Sequence, residues 1–182
     1  MVLLSGWSGA GKDAVASLLV QRAGYVRLAF ADVLKDIVTA ELGVSRALAD
    51  DPCGKQMTCT LDGVTATLRE WLINRALDLR ASGGPSIFAD VVARAISAAP
   101  AYAKFVVSDW RLPDVREFLL KGLPPDQQVT TVRVQRAGMV CSPVTHAPTE
   151  NALDAYAFDV TIHNPGTDLE ALWAVVEPAL RP

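Results

Sequence analysis

Histidine and cysteine are scarce in this 182-residue chain, and the scarcity removes whole classes of chemistry. The two histidines are His146 and His163, and the three cysteines are Cys53, Cys59 and Cys141. No zinc-ligand spacing can be assembled from them. An odd cysteine count without paired spacing predicts free thiols in a reducing compartment. A basic excess is also missing. Seventeen Lys and Arg stand against twenty Asp and Glu, for a net charge of −3 and a pI near 5.3. That balance argues against a general nucleic-acid binder but leaves room for local basic sites that hold phosphate. No apolar run reaches membrane-spanning length, so no membrane partner is expected. No basic segment precedes the short apolar run at Val2–Ser5, so no signal peptide is expected and a cytoplasmic location is. Internal repeats, low-complexity tracts and linkers are absent. The remainder, 51% hydrophobic and 20% charged, is the composition of a soluble globular protein. Its length suits one domain, 1–182, with a good core.

The hydrophobic pattern alternates between two periods. Val2–Ser5, Tyr25–Phe30, Lys104–Ser108, Val129–Gln135 and Phe158–Ile162 read as strands. Lys12–Ala23, Asp32–Leu42, Thr67–Arg80, Ile87–Ala98, Val115–Leu120 and Asp168–Leu180 read as helices. Gly24 and Gly43 close the first two helices, and Asp32 is the expected N-cap of the second. Residues 44–63 read as irregular, with turn signals at Asp50-Asp51-Pro52 and Asp62-Gly63. Gly138, Pro143 and Pro148 mark 137–149 as a loop or lid. This order predicts a three-layer α/β fold, with a mostly parallel five-stranded sheet and helices on both faces.

The decisive motif is Gly6-Trp7-Ser8-Gly9-Ala10-Gly11-Lys12, an apolar strand before it and an amphipathic helix after it. This is most of a Walker A phosphate loop, G-x-x-x-x-G-K, in its proper context. Glycines let the backbone curl so that several N–H groups face one anion. The first N–H groups of the following helix lack intrahelical partners and carry the positive end of its dipole. Lys12 would reach the β- and γ-phosphates of a nucleoside triphosphate. The phosphate cradle is therefore expected to comprise Gly6, Ser8, Gly9, Ala10, Gly11, Lys12, Asp13 and Ala14. Asp13 stands where this loop usually has Ser or Thr. It could hold the water shell of Mg²⁺, accept a proton from the phosphate acceptor, or simply favour the first turn of the helix as an acid.

In open parallel sheets, ligands gather at the carboxyl ends of the strands. Asp109 follows the apolar run Phe105-Val106-Val107-Ser108, the Walker B placement of a metal-orienting acid, or else a common turn opener. Arg111, two residues on, could pair with phosphate or be a solvated loop arginine. Arg133 and Arg136 close the fourth strand at the start of the lid. An arginine there could neutralise a transferring phosphoryl group, or the two could be a surface pair. Arg69 and Arg75, six apart on one helix, fall on different faces. Trp71 and Trp110 could stack on a base, although aromatics more often fill cores. Thr149-Glu150-Asn151 could cap a short helix.

Taken in order, these segments resemble the phage-type deoxynucleoside monophosphate kinases of the P-loop nucleotide-kinase superfamily. Gly11-Lys12-Asp13 is similar to the family's G-K-D loop ending. Phe30-Ala31-Asp32-Val33-Leu34-Lys35 resembles its F-A-D-P-L-K segment, with Val33 in place of proline. Ser108-Asp109-Trp110-Arg111-Leu112-Pro113-Asp114 resembles its S-D-x-R-F-P-N segment. Arg133–Arg136, His146–Glu150 and Asp159–Gly166 resemble its arginine, H-x-S-E and D-x-x-I-x-N-x-G segments. Three departures stand out. Ala14 replaces a usual Thr, His146 lies four rather than three residues before Glu150, and 44–65 matches poorly.

The resemblance implies transfer of the γ-phosphoryl of ATP, with Mg²⁺, to a deoxynucleoside monophosphate. It makes Lys12, Asp13 and Arg136 catalytic, with Arg136 acting from a lid at about 136–152. It places Asp32, Lys35, Arg69, Asp109, Arg111 and Glu150 around the acceptor, within a helical region at about 32–100. Mg²⁺ would be held through water, by Asp13 or Asp109. Other acceptors remain open at this point: dephospho-coenzyme A, a phosphorylated small alcohol, or a modified base in DNA. So do a non-catalytic nucleotide-binding module and a homodimer.

Overall fold

The computed structural model describes residues 1–139 and 151–180. Cys141, His146 and Glu150 lie outside the described residues, as does most of the expected lid. The chain forms two compact units, Met1–Ala29 together with the chain from Ala89 onward, and Phe30–Phe88.

The first unit is built on a parallel sheet of five strands: β1 (Val2–Ser5), β2 (Tyr25–Leu28), β5 (Lys104–Val107), β6 (Thr130–Arg136) and β7 (Val160–Asn164). Their spatial order is β2-β5-β1-β6-β7. Every pairing is parallel, with Leu3 opposite Val107, Ser5 opposite Arg133, and Arg136 opposite Asn164. All four residues of β1 are buried, as a parallel strand covered on both faces requires. β1 thus lies at the centre, with β5 on one side and β6 on the other. Helices α1 (Lys12–Ala23), α5 (Ile87–Ser97), α6 (Pro113–Lys121) and α7 (Leu169–Leu180) belong to this part of the chain. The core joins Val15, Leu18 and Leu19 of α1 to Leu4, Val106, Val132, Val134 and Ile162 of the sheet, and to Leu172 and Val176 of α7. The i, i+3, i+4 spacing of the α1 residues is what lets one stripe meet the sheet. Gly24 ends α1 in the left-handed region.

The last strand begins two residues later than its sequence pattern predicts. Phe158 is instead packed edge-on against Trp110 and Tyr156. Between Phe158 and β7, Asp159 clips onto Thr131. Its carboxylate accepts from the Thr131 N–H at 2.8 Å and hydroxyl at 2.7 Å. Those two bonds, the hydroxyl's first, hold the Asp159 carboxyl below its usual range. The folded state therefore binds this proton more weakly than the unfolded chain. The stabilisation is complete above the unfolded carboxylate range, near pH 4, and is lost as pH falls through the lower folded value. Melting curves should show Asp159→Asn with a shallower loss of stability on acidification than the wild type. Parallel pH dependences would refute it.

The second unit contains α2 (Ala31–Leu42), α3 (Arg46–Asp50), a single 3₁₀ turn at Gly54–Gln56, an antiparallel hairpin of β3 (Thr58–Leu61) and β4 (Val64–Thr67), and α4 (Leu68–Gly83). The expectation of irregular chain through 44–63 is corrected here. Asp62 and Gly63 both have positive φ, 51° and 79°, as a two-residue hairpin turn of matching twist demands. Asp32 is not the N-cap of α2. The helix starts one residue earlier, after Phe30, and the Asp32 carboxylate is taken by Arg46 at 2.9 Å. Thr67 and Glu70 form a capping box at the start of α4. Leu34, Val38, Ala49 and Leu68 make the core of this unit, flanked by Trp71, Leu72 and Phe88.

Candidate functional site

The phosphate loop joins β1 to α1 and is shaped by residues that only glycine can replace. Gly6 has φ +145°, and a Cβ there would stand 2.3 Å from the Val134 carbonyl oxygen on β6. Gly11 has φ +100°, and a Cβ there would stand 2.3 Å from Asn164 Nδ2. At these two positions the loop runs against β6 and β7 with no room for a side chain. Gly11 is the N-cap of α1 and supplies no side-chain cap. The helix start therefore receives no side-chain cap from Gly11, and it lies at the positive end of a twelve-residue dipole, where an anion is favoured. The eight residues expected in the cradle, Gly6, Ser8, Gly9, Ala10, Gly11, Lys12, Asp13 and Ala14, all lie in this loop and the first turn of α1.

Lys12 is buried, 8% exposed. Its ammonium donates to the carbonyls of Gly6 at 2.8 Å and Trp7 at 3.1 Å. A cation held on the loop's own carbonyls is positioned before any ligand arrives. Asp13 is exposed beside it in the first turn.

Asp109 and Arg111 follow the carboxyl end of β5, beside β1, and both are partly buried. Just before them, the Ser108 hydroxyl is buried and has no hydrogen-bond partner among the described residues. Trp110 is wholly buried, and its indole N–H donates to the Leu112 carbonyl at 2.8 Å. It is a core residue, not a stacking platform. Trp71 is partly buried, packs against the core of the second unit and donates to the Cys59 carbonyl at 3.2 Å.

The two arginines of β6 separate into different roles. Arg133 is buried, 7% exposed, and paired with Asp154. Arg136, the last residue of β6, is exposed, and its guanidinium donates to the Gly166 carbonyl at 3.3 Å. A cavity of about 250 Å³ opens beside the loop, lined by Trp7, Ala10, Arg133, Gln135, Arg136 and Met139. Asn164 stands in the D-x-x-I-x-N-x-G segment but was given no role by the sequence. Buried at the end of β7, it donates to the Ala10 carbonyl at 2.9 Å and accepts from the Gly166 N–H at 2.9 Å. It ties the phosphate loop to the turn after β7. Its place two residues before Gly166 was the available signal.

In the second unit, Asp32 and Lys35 are brought together, 3.9 Å apart, within a network the sequence did not show. Lys35 also pairs with Asp50 at 2.9 Å, and Arg46 pairs with Asp32, Asp36 and Asp50. Partial burial disfavours the charged forms of Arg46 and Asp50. Their hydrogen bonds outweigh it, raising the Arg46 pKa and lowering that of Asp50. Arg69 is exposed in the first turn of α4.

No protein-family profile matches the chain, and no curated protein matches it. Solved structures do. A kinase candidate from Chloroflexus aurantiacus superposes with a TM-score of 0.52 at 14% identity, covering 98% of this chain and 94% of that one. A Thermus thermophilus protein superposes with a TM-score of 0.50 at 20% identity, covering 100% and 97%. A gluconokinase from Sinorhizobium meliloti aligns with a TM-score of 0.48 at 16% identity, covering 98% and 92%. The first two likenesses establish the fold: the five-stranded parallel sheet flanked by helices is shared along nearly the whole of both chains.

Proposed function

We propose that this chain is an ATP-dependent kinase that phosphorylates a deoxynucleoside monophosphate to its diphosphate. The observation that carries the kinase reading is the loop itself. A helix start without a side-chain cap, a left-handed Gly11 and a buried Lys12 ammonium come together in this one loop. The deoxynucleotide acceptor rests on the resemblance of Phe30–Lys35 and Ser108–Asp114.

In this reading the loop N–H groups bind the ATP phosphates and Lys12 offsets charge on the β- and γ-phosphates. Arg136 approaches from the end of β6, and Asp109 and Arg111 orient the acceptor. The resemblance also assigns acceptor contacts to Asp32, Lys35, Arg69 and Glu150. Mg²⁺ would be held through water by Asp13 or Asp109, supplying charge neutralisation between the phosphates. The orphaned Ser108 hydroxyl fits such a polar neighbour.

A coupled ADP-release assay with Mg-ATP tests the reading. The panel is dAMP, dCMP, dGMP, dTMP, their ribose forms and dephospho-coenzyme A. Turnover on one or more deoxynucleotides is expected. A second reading, the same chemistry on another acceptor, is favoured by one observation: Lys35 and Asp32 already engage Asp50 and Arg46. Turnover confined to dephospho-coenzyme A would select it. Asp13→Asn should lower kcat by about 100-fold, the scale of a lost general base, with ATP affinity changed less than about threefold. An unchanged rate would reduce Asp13 to a helix-dipole role.

A further inference from the structure

The second loop residue, Trp7, is held from both its faces of chemistry. Its indole N–H donates to Asp154 Oδ1 at 3.1 Å, across 147 residues of chain. The same Asp154 oxygen accepts from the Arg133 guanidinium. Arg133 in turn lies over the Trp7 ring, 5.8 Å from its centroid, and over the Phe158 ring at 5.6 Å. The guanidinium therefore lies over two aromatic rings and is paired with the Asp154 carboxylate. A buried cation needs such a partner.

What Trp7 does with its backbone gives this cluster its meaning. The Trp7 carbonyl accepts from the Ala10 N–H at 3.1 Å, which closes the turn, and from Lys12 Nζ at 3.1 Å, which aims the ammonium. An indole anchored at its N–H restrains the Cα it hangs from, and with it the peptide that carries this carbonyl. We propose that Asp154 and Arg133 are positioning residues that lock Trp7, and through its carbonyl fix the turn and the Lys12 ammonium for phosphate binding. This rests on the reading of the loop as a nucleotide site. It also explains why β6 carries one arginine buried and one exposed: Arg133 orders the loop, and Arg136 is left at the mouth of the cavity.

The test is Mg-ATP affinity by titration calorimetry, with melting temperature measured beside it. Asp154→Ala should weaken ATP about tenfold, the scale of a charge-assisted hydrogen bond, and Asp154→Asn, which keeps an acceptor, should lose less. Trp7→Phe keeps an aromatic ring for Arg133 and the Arg133–Asp154 pair but removes the indole N–H. It should weaken ATP by a similar factor at nearly unchanged melting temperature, which guards against Asp154→Ala simply failing to fold. Because the two side chains act through one bond, Trp7→Phe with Asp154→Ala should bind no worse than Asp154→Ala alone. Losses that multiply would overturn the inference, as would wild-type affinity in Trp7→Phe. Absence of ATP binding by the wild type itself would overturn the nucleotide reading beneath it.

Discussion

Lys12→Ala should abolish phosphoryl transfer while leaving the fold standing. The ammonium is buried within the loop, and the Gly6 and Trp7 carbonyls hold it there. Removing a preorganised donor of this kind costs about 100- to 1,000-fold in kcat or more, since charge developing on the phosphates loses its nearest counter-ion. Stability should move little. The two hydrogen bonds are lost, but so is the cost of burying a charge, and the terms oppose one another. The measurement is turnover on the best acceptor of the panel, with a thermal melt of the same preparation. Turnover within tenfold of the wild type would sink the phosphate-loop assignment. An unfolded variant would show the lysine to be structural.

Gly6→Ala should be the most damaging small substitution in the first unit. Two costs combine there. The backbone is at φ +145°, and the new methyl would meet the Val134 carbonyl oxygen at 2.3 Å. That oxygen belongs to a central strand and cannot swing aside. Positive-φ strain of about 1–2 kcal/mol and overpacking of about 1–3 kcal/mol suggest a loss near 2–5 kcal/mol. For a chain of this size, that is a fall of about 4–20 °C in melting temperature. Gly24→Ala is the internal control. Its φ is +70°, yet an added Cβ meets nothing within 4 Å, so it carries the strain alone. Equal shifts in the two variants would show that the contact with β6 costs nothing.

The local features were legible and the distant ones were not. The glycine and lysine spacing from Gly6 to Lys12 showed the loop, because its function depends on a short run of backbone. The five strands and the principal helices followed from period alone, with ends displaced where tertiary contacts intervene. Phe158 looked like the start of a strand because it is apolar, but its ring is spent on Trp110 and Tyr156. Asp62-Gly63 was seen as a turn, while the hairpin it joins was missed. Thr58-Cys59-Thr60 and Thr65-Ala66-Thr67 carry too little hydrophobic contrast to show alternation. Asp32 read as a cap until Arg46, fourteen residues on, took its carboxylate. Arg133 and Arg136 looked alike in sequence. Only a partner more than twenty residues away, Asp154, tells the buried one from the exposed one. Asn164 bonds a carbonyl 154 residues earlier, a distance no local pattern can span.

The sheet order has a consequence for how the protein is born. β1 pairs with β5 and β6 and with no strand made soon after it. Chains emerge at about 5–20 residues per second, so Val2–Leu4 waits on the order of ten seconds at the ribosome before Val106 and Thr130 exist to cover it. The contiguous segment Phe30–Phe88 has no such wait. The phosphate loop, synthesised well before β5 and β6, is therefore among the last parts of its unit to take its shape, and its apolar strand spends that interval as a target for chaperones.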